Sequence, residues 1–533
     1  MPPMNEALNG ARSSKTPFLA HPRPRPGQSE MIADATLALS ERGFHVAAAP
    51  TGIGKTAAAL AAAVEVARQR SVRTHVLFLT GRQSQHKIVV DTVRKINANL
   101  PGEDYPLRVV DVIGRESMCE VLDPFTGRCM CETGSEEATK FERKESLKSF
   151  ILHQPRHVEE TLVRAKSVGV CAWQTCRSTV KEADILVCDY NHVFAEQVRE
   201  SSLPAMGVTL QNSLIIIDEA HNLPDRIRMT MERVITPTIV RNAAMELEEH
   251  MGNLENAVKR DPSPSTTQLL EAVRWSFEVI KAYRSKLTAR FSTYHETTPE
   301  EEELRVEIDD FIGLLHTACD EVEGLTGQMR ISTTGETTQH PAKEDRLAQL
   351  ASTLFTVQVE AESDEETSEP DAHRVGHILQ SVHRFGQTTA LCIVFSPKGR
   401  EGKLTMHLLD PGLVSKPVFE QSGGSLLMSG TLYPPEMYAH LLALPANNTT
   451  TKAYPSPFAA KRRPVVVGSN VTTKYTERGA SNTQRIRNHI QGLLDASPGN
   501  VAIFAPSYAM LNEIVLDANF KGVRQVVKED RDW

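Results

Sequence analysis

The chain has 533 residues, too many for a single hydrophobic core, and this length predicts three or four domains. Apolar residues make up 40% and charged residues 24%, an ordinary globular balance that excludes collagen-like and wholly disordered proteins. Because the net charge is −8, bulk charge gives no support for a nucleic-acid partner, and any basic surface must be local.

The sequence predicts neither a membrane segment nor a secretory signal. The best apolar candidate, 57–67, is interrupted by Glu65 and is shorter than the ~18 residues that a membrane helix needs. The N-terminal segment has no apolar core after its charges. We therefore expect no membrane association and an intracellular location, cytoplasmic or nucleoid-associated, or nuclear in a eukaryote.

Short apolar runs bounded by turn residues predict strands along most of the chain. Their near-continuous apolar character is typical of strands buried on both faces of a parallel sheet. Helical patterns at 55–69 and 82–97 complete an α/β signature. The predicted strands are 45–50, 74–80, 184–190, 213–219, 389–396, 425–431, 463–468 and 499–507.

A phosphate-binding loop follows the first predicted strand, where residues 49–56 read APTGIGKT. Glycines in such a loop let backbone N–H groups turn toward phosphate oxygens. Lys55 is expected to reach the terminal phosphates, and the Thr56 hydroxyl to hold Mg²⁺. This motif predicts ATP and Mg²⁺ as cofactors. The predicted loop residues are Thr51, Gly52, Ile53, Gly54, Lys55 and Thr56.

An acidic tetrad, Asp218-Glu219-Ala220-His221, ends the apolar run LIIID. A carboxylate at the end of a buried strand can bind Mg²⁺, and the neighbouring glutamate can orient and deprotonate the attacking water. We assign these roles to Asp218 and Glu219, and we place His221 among the nucleotide contacts. Together with the phosphate loop, the tetrad favours ATP hydrolysis coupled to motion over a small-molecule kinase.

Several further strings, taken together and in order, resemble the XPD/DinG-type iron–sulfur DNA helicases of superfamily two. RPGQ at 25–28 matches the adenine-reading segment of that family and implicates Arg25 and Gln28. LLMSGTL at 426–432 matches the motif that couples hydrolysis to movement. The other matching strings are LTGR (79–82), DYNH (189–192), YPSPF (454–458), TTKY (472–475) and FAPSY (504–508).

The resemblance implies an α/β fold with a RecA-like phosphate-loop motor domain, two insertions and the start of a second RecA-like domain. Apolar residues at helical spacings of three and four support the second insertion. The expected division is motor domain one at 1–115, 178–235 and 385–432, an Fe–S cluster domain at 116–177, a helical arch at 236–384, and an incomplete motor domain two at 433–533.

Six of the eight cysteines lie between residues 119 and 188, and this clustering favours metal or redox chemistry over disulfides. Spacing alone fits either zinc or an iron–sulfur cluster. The resemblance implies a 4Fe–4S cluster with Cys119, Cys129, Cys131 and Cys171 as ligands, and Cys176 is a fifth candidate. The sequence departs from the family in its middle C-x-C pair and in Ala172, where the family usually has proline.

The implied function is an ATP-dependent DNA helicase that moves 5′→3′ on single-stranded DNA and opens single/double-strand junctions in DNA repair. We expect repair proteins as partners and a monomer. Arg82, Gln83, Lys87 and Tyr190 are candidate strand contacts, together with basic residues at 143–148.

Two alternatives stay open at this point. The chain contains no Q-x-x-G-R-x-x-R string, which supplies arginines to ATP in the family, so we expect a truncated version of a longer protein. This absence favours a DNA-binding or damage-recognition scaffold with a defective motor as the second hypothesis. A third is a small-molecule kinase with a zinc knuckle.

Overall fold

The computed structural model describes residues 16–102, 105–119, 137–333, 345–358, 369–399, 401–459 and 464–528. The chain forms two compact units, Met1–Pro457 and Phe458–Trp533. The first compact unit extends beyond residue 432, the predicted end of motor domain one. The physical reason is a late strand that pairs with the sheet of the first unit.

A seven-stranded parallel sheet forms the centre of the first unit in the described part of the chain. Its strand order is β11-β1-β10-β5-β2-β4-β3, which confirms the predicted α/β class with a parallel sheet. The strands are β1 (Phe44–Ala48), β2 (His75–Thr80), β3 (Val109–Asp111), β4 (Ile185–Asp189), β5 (Ser213–Asp218), β10 (Ser425–Ser429) and β11 (Thr449–Ala453).

The strands of this sheet bury both faces, as their apolar runs predict. In β2, Val76 and Phe78 join one hydrophobic core, and Leu77 and Leu79 join the core on the opposite face. Successive side chains of a strand alternate between faces, so a strand covered on both sides needs apolar residues throughout.

Helices cover both faces of the sheet. The middle of the alanine-rich α2 is buried, from Ala58 to Val64, and small side chains allow it to lie close to the strands. The α-helices described between residues 28 and 231 are α1 (Gln28–Ser40), α2 (Lys55–Gln69), α3 (Gln83–Asn99), α4 (Arg115–Met118), α5 (Glu137–His153), α6 (Val158–Val168), α7 (Ala172–Thr179), α8 (Asn191–Phe194), α9 (Glu196–Met206) and α10 (Leu223–Met231). Two more, α16 (Gly412–Gln421) and α17 (Pro435–Leu441), flank β10.

The described part of the cysteine segment is helical and packs onto the motor sheet. Leu147 and Ile151 of α5 and Val158 and Ala165 of α6 are buried in the same core as the sheet residues. The buried Asp111 of β3 accepts the backbone N–H of Val158 at 2.9 Å, and so caps the start of α6. Packing against the parallel sheet therefore stabilises α5 and α6.

The predicted helical insertion is confirmed in the described part of 236–384. Its helices are α11 (Pro237–Arg260), α12 (Pro264–Thr297), α13 (Ile308–Thr333), α14 (Arg346–Leu354) and α15 (Asp371–Phe385). Proline in the first turn and a side-chain N-cap, Thr236 for α11 and Ser263 for α12, fix where these two helices begin. Among the described residues, no helix combines the length and apolar character needed to cross a membrane.

A second sheet is antiparallel, and it corrects the expectation for 389–396. Residues 391–396 do not join the parallel sheet but form a hairpin with 403–408, because Gly399 and Gly402 adopt positive φ of 95° and 70° and reverse the chain. The ring of Phe395 packs edge-on against that of Phe291 in α12, with 5.3 Å between the ring centres, so this sheet packs against the helical insertion. Its order is β6-β9-β8-β7, with β6 (Arg233–Ile235), β7 (Leu304–Val306), β8 (Leu391–Ser396) and β9 (Lys403–Leu408).

The second unit contains α18 (Ala480–Ala496) and α19 (Tyr508–Val515) around a small core of Ile490, Met510 and Ile514. The strands predicted at 463–468 and 499–507 do not form in its described part. Phe504 is 94% exposed, and residues 465–467 are more than 80% exposed. A strand needs a neighbour for its N–H and C=O groups, and neither segment pairs with another described residue.

The buried His45 of β1 predicts a loss of stability in acid. Burial, the largest influence, lowers the pKa of His45 to about 4 from its ordinary 6.5. Between these pH values the unfolded chain binds a proton that the folded chain does not. The free energy of unfolding therefore decreases as the pH is lowered, by up to ~3 kcal/mol. Melting temperatures at pH 7.5 and 5, compared with those of His45→Gln, measure this effect. An equal acid shift in both proteins would contradict it.

Candidate functional site

The ends of three neighbouring strands bring the predicted nucleotide residues together. β1, β10 and β5 are adjacent and parallel, so their carboxyl ends lie at one edge of the sheet. The phosphate loop follows β1, Ser429 ends β10, and Asp218 ends β5. The backbone N–H of Ala49 donates to the carbonyl of Ser429 at 2.9 Å. This edge is where ligands bind in open parallel sheets.

The phosphate loop has the backbone that its glycines predict. Gly52 and Gly54 have φ of 96° and 87°, a region that side-chain-bearing residues rarely adopt. Gly54 is the N-cap of α2, which starts at Lys55 and has no acidic residue in its first turn. The unpaired N–H groups at this helix start favour a bound anion, so the loop fits a nucleotide phosphate.

Arg25 and Gln28 hold the phosphate loop from outside. The Arg25 guanidinium donates to the carbonyl of Gly52 at 3.0 Å, and the Gln28 amide donates to the carbonyl of Gly54 at 3.0 Å. A Cβ on Gly54 would lie 2.5 Å from Nε2 of Gln28 and would displace this amide, and the φ of 87° also disfavours any residue with a side chain there. In this conformation both side chains contact the loop, and their contact with adenine stays a prediction.

Asp218 is a buried carboxylate beside the phosphate loop. Burial, and then the charge of Glu219, raise the pKa of Asp218 to about 6. The backbone N–H of Glu219, which donates to Oδ1 of Asp218 at 3.0 Å, and the charge of Lys55 act in the opposite direction. Lys55 and Asp218 are therefore close enough to interact. A divalent cation would offset the cost of ionising this carboxylate, so its chemistry fits the predicted Mg²⁺ ligand.

Ser429 connects the acidic tetrad to the strand beside the phosphate loop. Its hydroxyl donates to Oε2 of Glu219 at 2.8 Å and lies 2.7 Å from Nδ1 of His221. Glu219 itself has a φ of 47°, a strained conformation for a residue with a side chain. The predicted coupling motif LLMSGTL contains Ser429, but the sequence alone predicted no contact for this residue. A polar residue closing the apolar strand LLMS was the available signal.

Tyr190 does not have the exposed position that a base-stacking residue needs. The ring is 1% exposed, and its hydroxyl donates to the carbonyl of Asp218 at 2.5 Å. Its contact with DNA therefore stays a prediction, since this conformation buries the ring although Tyr190 lies among the residues of the cleft described below. Its role is to support the backbone of the acidic tetrad.

A cleft of about 460 Å³ opens next to the acidic tetrad. It is lined by residues of the predicted DNA-contacting LTGR string and by α10. Arg82 is exposed in this cleft, and Glu219 and His221, the two partners of the Ser429 hydroxyl, also line it. The lining residues are Gly81, Arg82, Gln85, Tyr190, Glu219, His221, Asn222, Asp225, Arg226 and Met229.

Of the predicted cluster ligands, Cys119 and Cys171 lie in the described part, and Cys129 and Cys131 lie outside it. Cys171 is the N-cap of α7, and its sulfur accepts the N–H of Gln174 at 3.5 Å, which suits a thiolate. Cys176 lies in the same helix α7, burial raises the pKa of its thiol, and it stays the fifth candidate ligand. Among the described residues, no set of three or more His, Cys, Asp and Glu side chains is arranged to hold a metal.

This chain is similar to several known proteins. Residues 78–239 match the DEAD_2 family. The Fanconi anemia group J protein homolog of Gallus gallus is 30% identical over 101 residues, 19% of this chain and 8% of that protein. ATP-dependent DNA helicase CHL1 of Yarrowia lipolytica is 21% identical over 380 residues, 67% of this chain and 42% of the relative. The solved structure XPD_Helicase is 16% identical, with a TM-score of 0.48 over 93% of this chain and 74% of that one.

The chain spans less than half the length of these two curated relatives. The DEAD_2 match begins within β2 and ends within α11, so it includes the cysteine segment and the acidic tetrad. The match places the DEAD_2 similarity on residues 78–239, and the predicted resemblance of this chain to the XPD/DinG-type iron–sulfur DNA helicases of superfamily two is confirmed.

Proposed function

We propose that this chain is the motor of an ATP-dependent DNA helicase. The observation that carries the proposal is Ser429, whose carbonyl accepts the N–H of Ala49 and whose hydroxyl bonds Glu219 and His221. One residue thus contacts both the phosphate loop and the tetrad that would activate water. The DEAD_2 match and the CHL1 likeness support DNA as the polymer on which the motor acts.

The residues of the site divide the chemistry of hydrolysis among them. Lys55 and the N–H groups at the start of α2 would bind the phosphates and stabilise the charge that develops on them. Asp218 and Thr56 would hold Mg²⁺, which neutralises phosphate charge when it is bound. Glu219 would orient a water molecule and take its proton. The hydroxyl of Ser429 at 2.8 Å fixes the position of the Glu219 carboxylate for this task.

Single-stranded DNA is the proposed partner, and the cleft beside Glu219 is its proposed entry to the motor. Arg82 and Arg226 in the cleft can bind phosphates, and Glu219, the proposed general base, lines the same cleft. Movement in the 5′→3′ direction, junction opening and a role in DNA repair are proposals that come from the family resemblance. The same holds for repair-protein partners and for a monomeric state.

A 4Fe–4S cluster on the cysteine segment is part of the proposal. Cys119 caps the C-terminal end of α4, Cys171 caps the start of α7, and these two helices contact each other. Both thiols are buried, as cluster ligands are when they are protected from water. The chemistry of this donor pair fits the group, and Cys129 and Cys131 are the proposed remaining ligands.

Changing Glu219 to glutamine is expected to leave ATP binding intact and to slow hydrolysis by roughly 10²–10⁴-fold. The amide keeps the shape of the side chain and can still accept the Ser429 hydroxyl, but it cannot take a proton from water. Binding of a fluorescent ATP analogue and single-turnover hydrolysis, each with and without single-stranded DNA, measure the two effects separately. Failure of the variant to bind ATP would assign Glu219 a structural role instead.

The matched control is Glu41→Gln, which removes an exposed carboxylate at the end of α1. Its turnover should equal that of the unchanged protein. The same experiment separates the motor from the DNA-binding scaffold with a defective motor. A scaffold would bind single-stranded DNA but show no hydrolysis stimulated by DNA, even with Glu219 unchanged.

A further inference from the structure

A cluster of side chains joins α1 to β11, the last strand of the first unit. The ammonium of Lys452 lies 2.6 Å from Oδ2 of Asp34 and 2.8 Å from Oε1 of Glu30. The hydroxyl of Tyr454 donates to the same Oδ2 of Asp34 at 2.8 Å and lies 2.8 Å from Nε2 of His45. We call Glu30, Asp34, His45, Lys452 and Tyr454 the α1–β11 clamp.

The sequence places these residues on matching faces. Glu30 and Asp34 are four residues apart on a helix, so both carboxylates lie on one side of α1. Lys452 and Tyr454 are two residues apart along β11 and its end, so both side chains lie on one face of the sheet. The Lys452 ammonium also lies 5.3 Å from the Tyr454 ring centre.

β11 needs such a fastening because its strand position is weak. It lies at the edge of the sheet next to β1, and its sequence TTTKA is polar and partly exposed. Tyr454 by contrast is 5% exposed, so its hydroxyl depends on Asp34 and His45 for hydrogen bonds. An isosteric loss of that hydroxyl would leave the buried His45 imidazole and the partly exposed Asp34 carboxylate without this partner.

The clamp is also close to the phosphate loop through two connections. At one end of α1, the Gln28 amide donates to the carbonyl of Gly54. At the end of β11, the backbone N–H of Tyr454 donates to the carbonyl of Ala48 at 2.9 Å, one residue before the loop begins. A nucleotide that orders the loop therefore acts on both partners of the clamp.

We infer that the α1–β11 clamp makes nucleotide binding at the phosphate loop control how firmly β11 is held. Asp34, Lys452 and Tyr454 are then positioning residues, which act through the loop and not on the nucleotide. The segment they fix is the one that leads out of the first unit, since the second unit begins four residues after Tyr454, at Phe458. The inference rests on the proposed function, because it assumes that the loop binds ATP.

Amide hydrogen exchange of residues 449–454 in the full chain tests this inference, with and without a non-hydrolysable ATP analogue and Mg²⁺. In the unchanged protein, the nucleotide should slow exchange in this segment by roughly tenfold. In Tyr454→Phe and in Asp34→Asn, the slowing should fall to less than about twofold while the affinity for the analogue stays within about twofold.

Two comparisons distinguish control of β11 from a general loss of structure. Lys452→Arg keeps the positive charge and should keep the nucleotide response, and Glu255→Gln, which removes an exposed pair with Arg274 in the helical insertion, should also keep it. If the unchanged protein fails to bind the analogue, the proposed function is wrong. If it binds the analogue but exchange at 449–454 does not change, or the Tyr454→Phe and Asp34→Asn proteins respond as the unchanged one does, the inference is overturned.

Discussion

Replacing Lys55 with alanine is expected to reduce ATP turnover by roughly 10²–10³-fold, close to background. Lys55 is the first residue of α2, directly after the left-handed Gly54, so its ammonium extends from the loop that would hold the phosphates. The substitution removes this charge while alanine preserves the helix, since alanine has the highest helix propensity. Steady-state phosphate release, measured with and without single-stranded DNA, gives the size of the loss.

The control for Lys55→Ala is Lys95→Ala, which removes an exposed lysine from α3 in the same unit. Its turnover should match that of the unchanged protein. Binding of single-stranded DNA should be retained in both variants, because Lys55 belongs to the phosphate loop and is not among the residues that line the proposed DNA cleft. Normal turnover in Lys55→Ala would show that the loop does not hold the reacting phosphates.

Replacing Cys171 with serine is expected to remove the iron–sulfur cluster and, with it, strand separation. Anaerobically purified protein should be brown, with broad thiolate-to-iron absorbance near ~400 nm, whereas a zinc protein would be colourless. Serine can still accept the N–H of Gln174 at the start of α7, so the helix should form while the thiolate ligand is lost. Iron analysis, absorbance and duplex unwinding are the measurements.

ATP turnover should fall less than unwinding in Cys171→Ser, because Lys55 begins α2 after β1 and Asp218 ends β5, whereas α7 contacts β3 at the edge of the sheet. Cys176→Ser is the matched change in the same helix: retained iron would leave Cys129 and Cys131 as the remaining ligands, and lost iron would assign Cys176 to the cluster. Fewer than about three irons per chain in the unchanged protein, together with a full equivalent of zinc, would contradict a 4Fe–4S cluster.

Serine at position 429 illustrates what the sequence left undecided at the site. Its hydroxyl reaches Glu219 and His221, which precede it by 210 and 208 residues. The contact exists because β10 inserts between β1 and β5, and strand order is a property of the whole sheet. The position of Tyr190 also depends on the whole fold. The sequence predicted a DNA contact for this tyrosine, but its ring is buried and its hydroxyl bonds the backbone of the tetrad.

Local chemistry by itself determined the phosphate loop, the acidic tetrad, the cysteine segment and the helical insertion. Each depends on requirements within a few residues, such as the positive φ of Gly52 and Gly54 or the three-and-four spacing of apolar side chains. The tertiary structure alone decided that β8 belongs to an antiparallel sheet and that β11 pairs with β1, with His45 bonded to Thr450 across 405 residues. An apolar run shows that a strand will be buried, but its neighbour is chosen by competition among all strands for backbone hydrogen bonds, which no local pattern records.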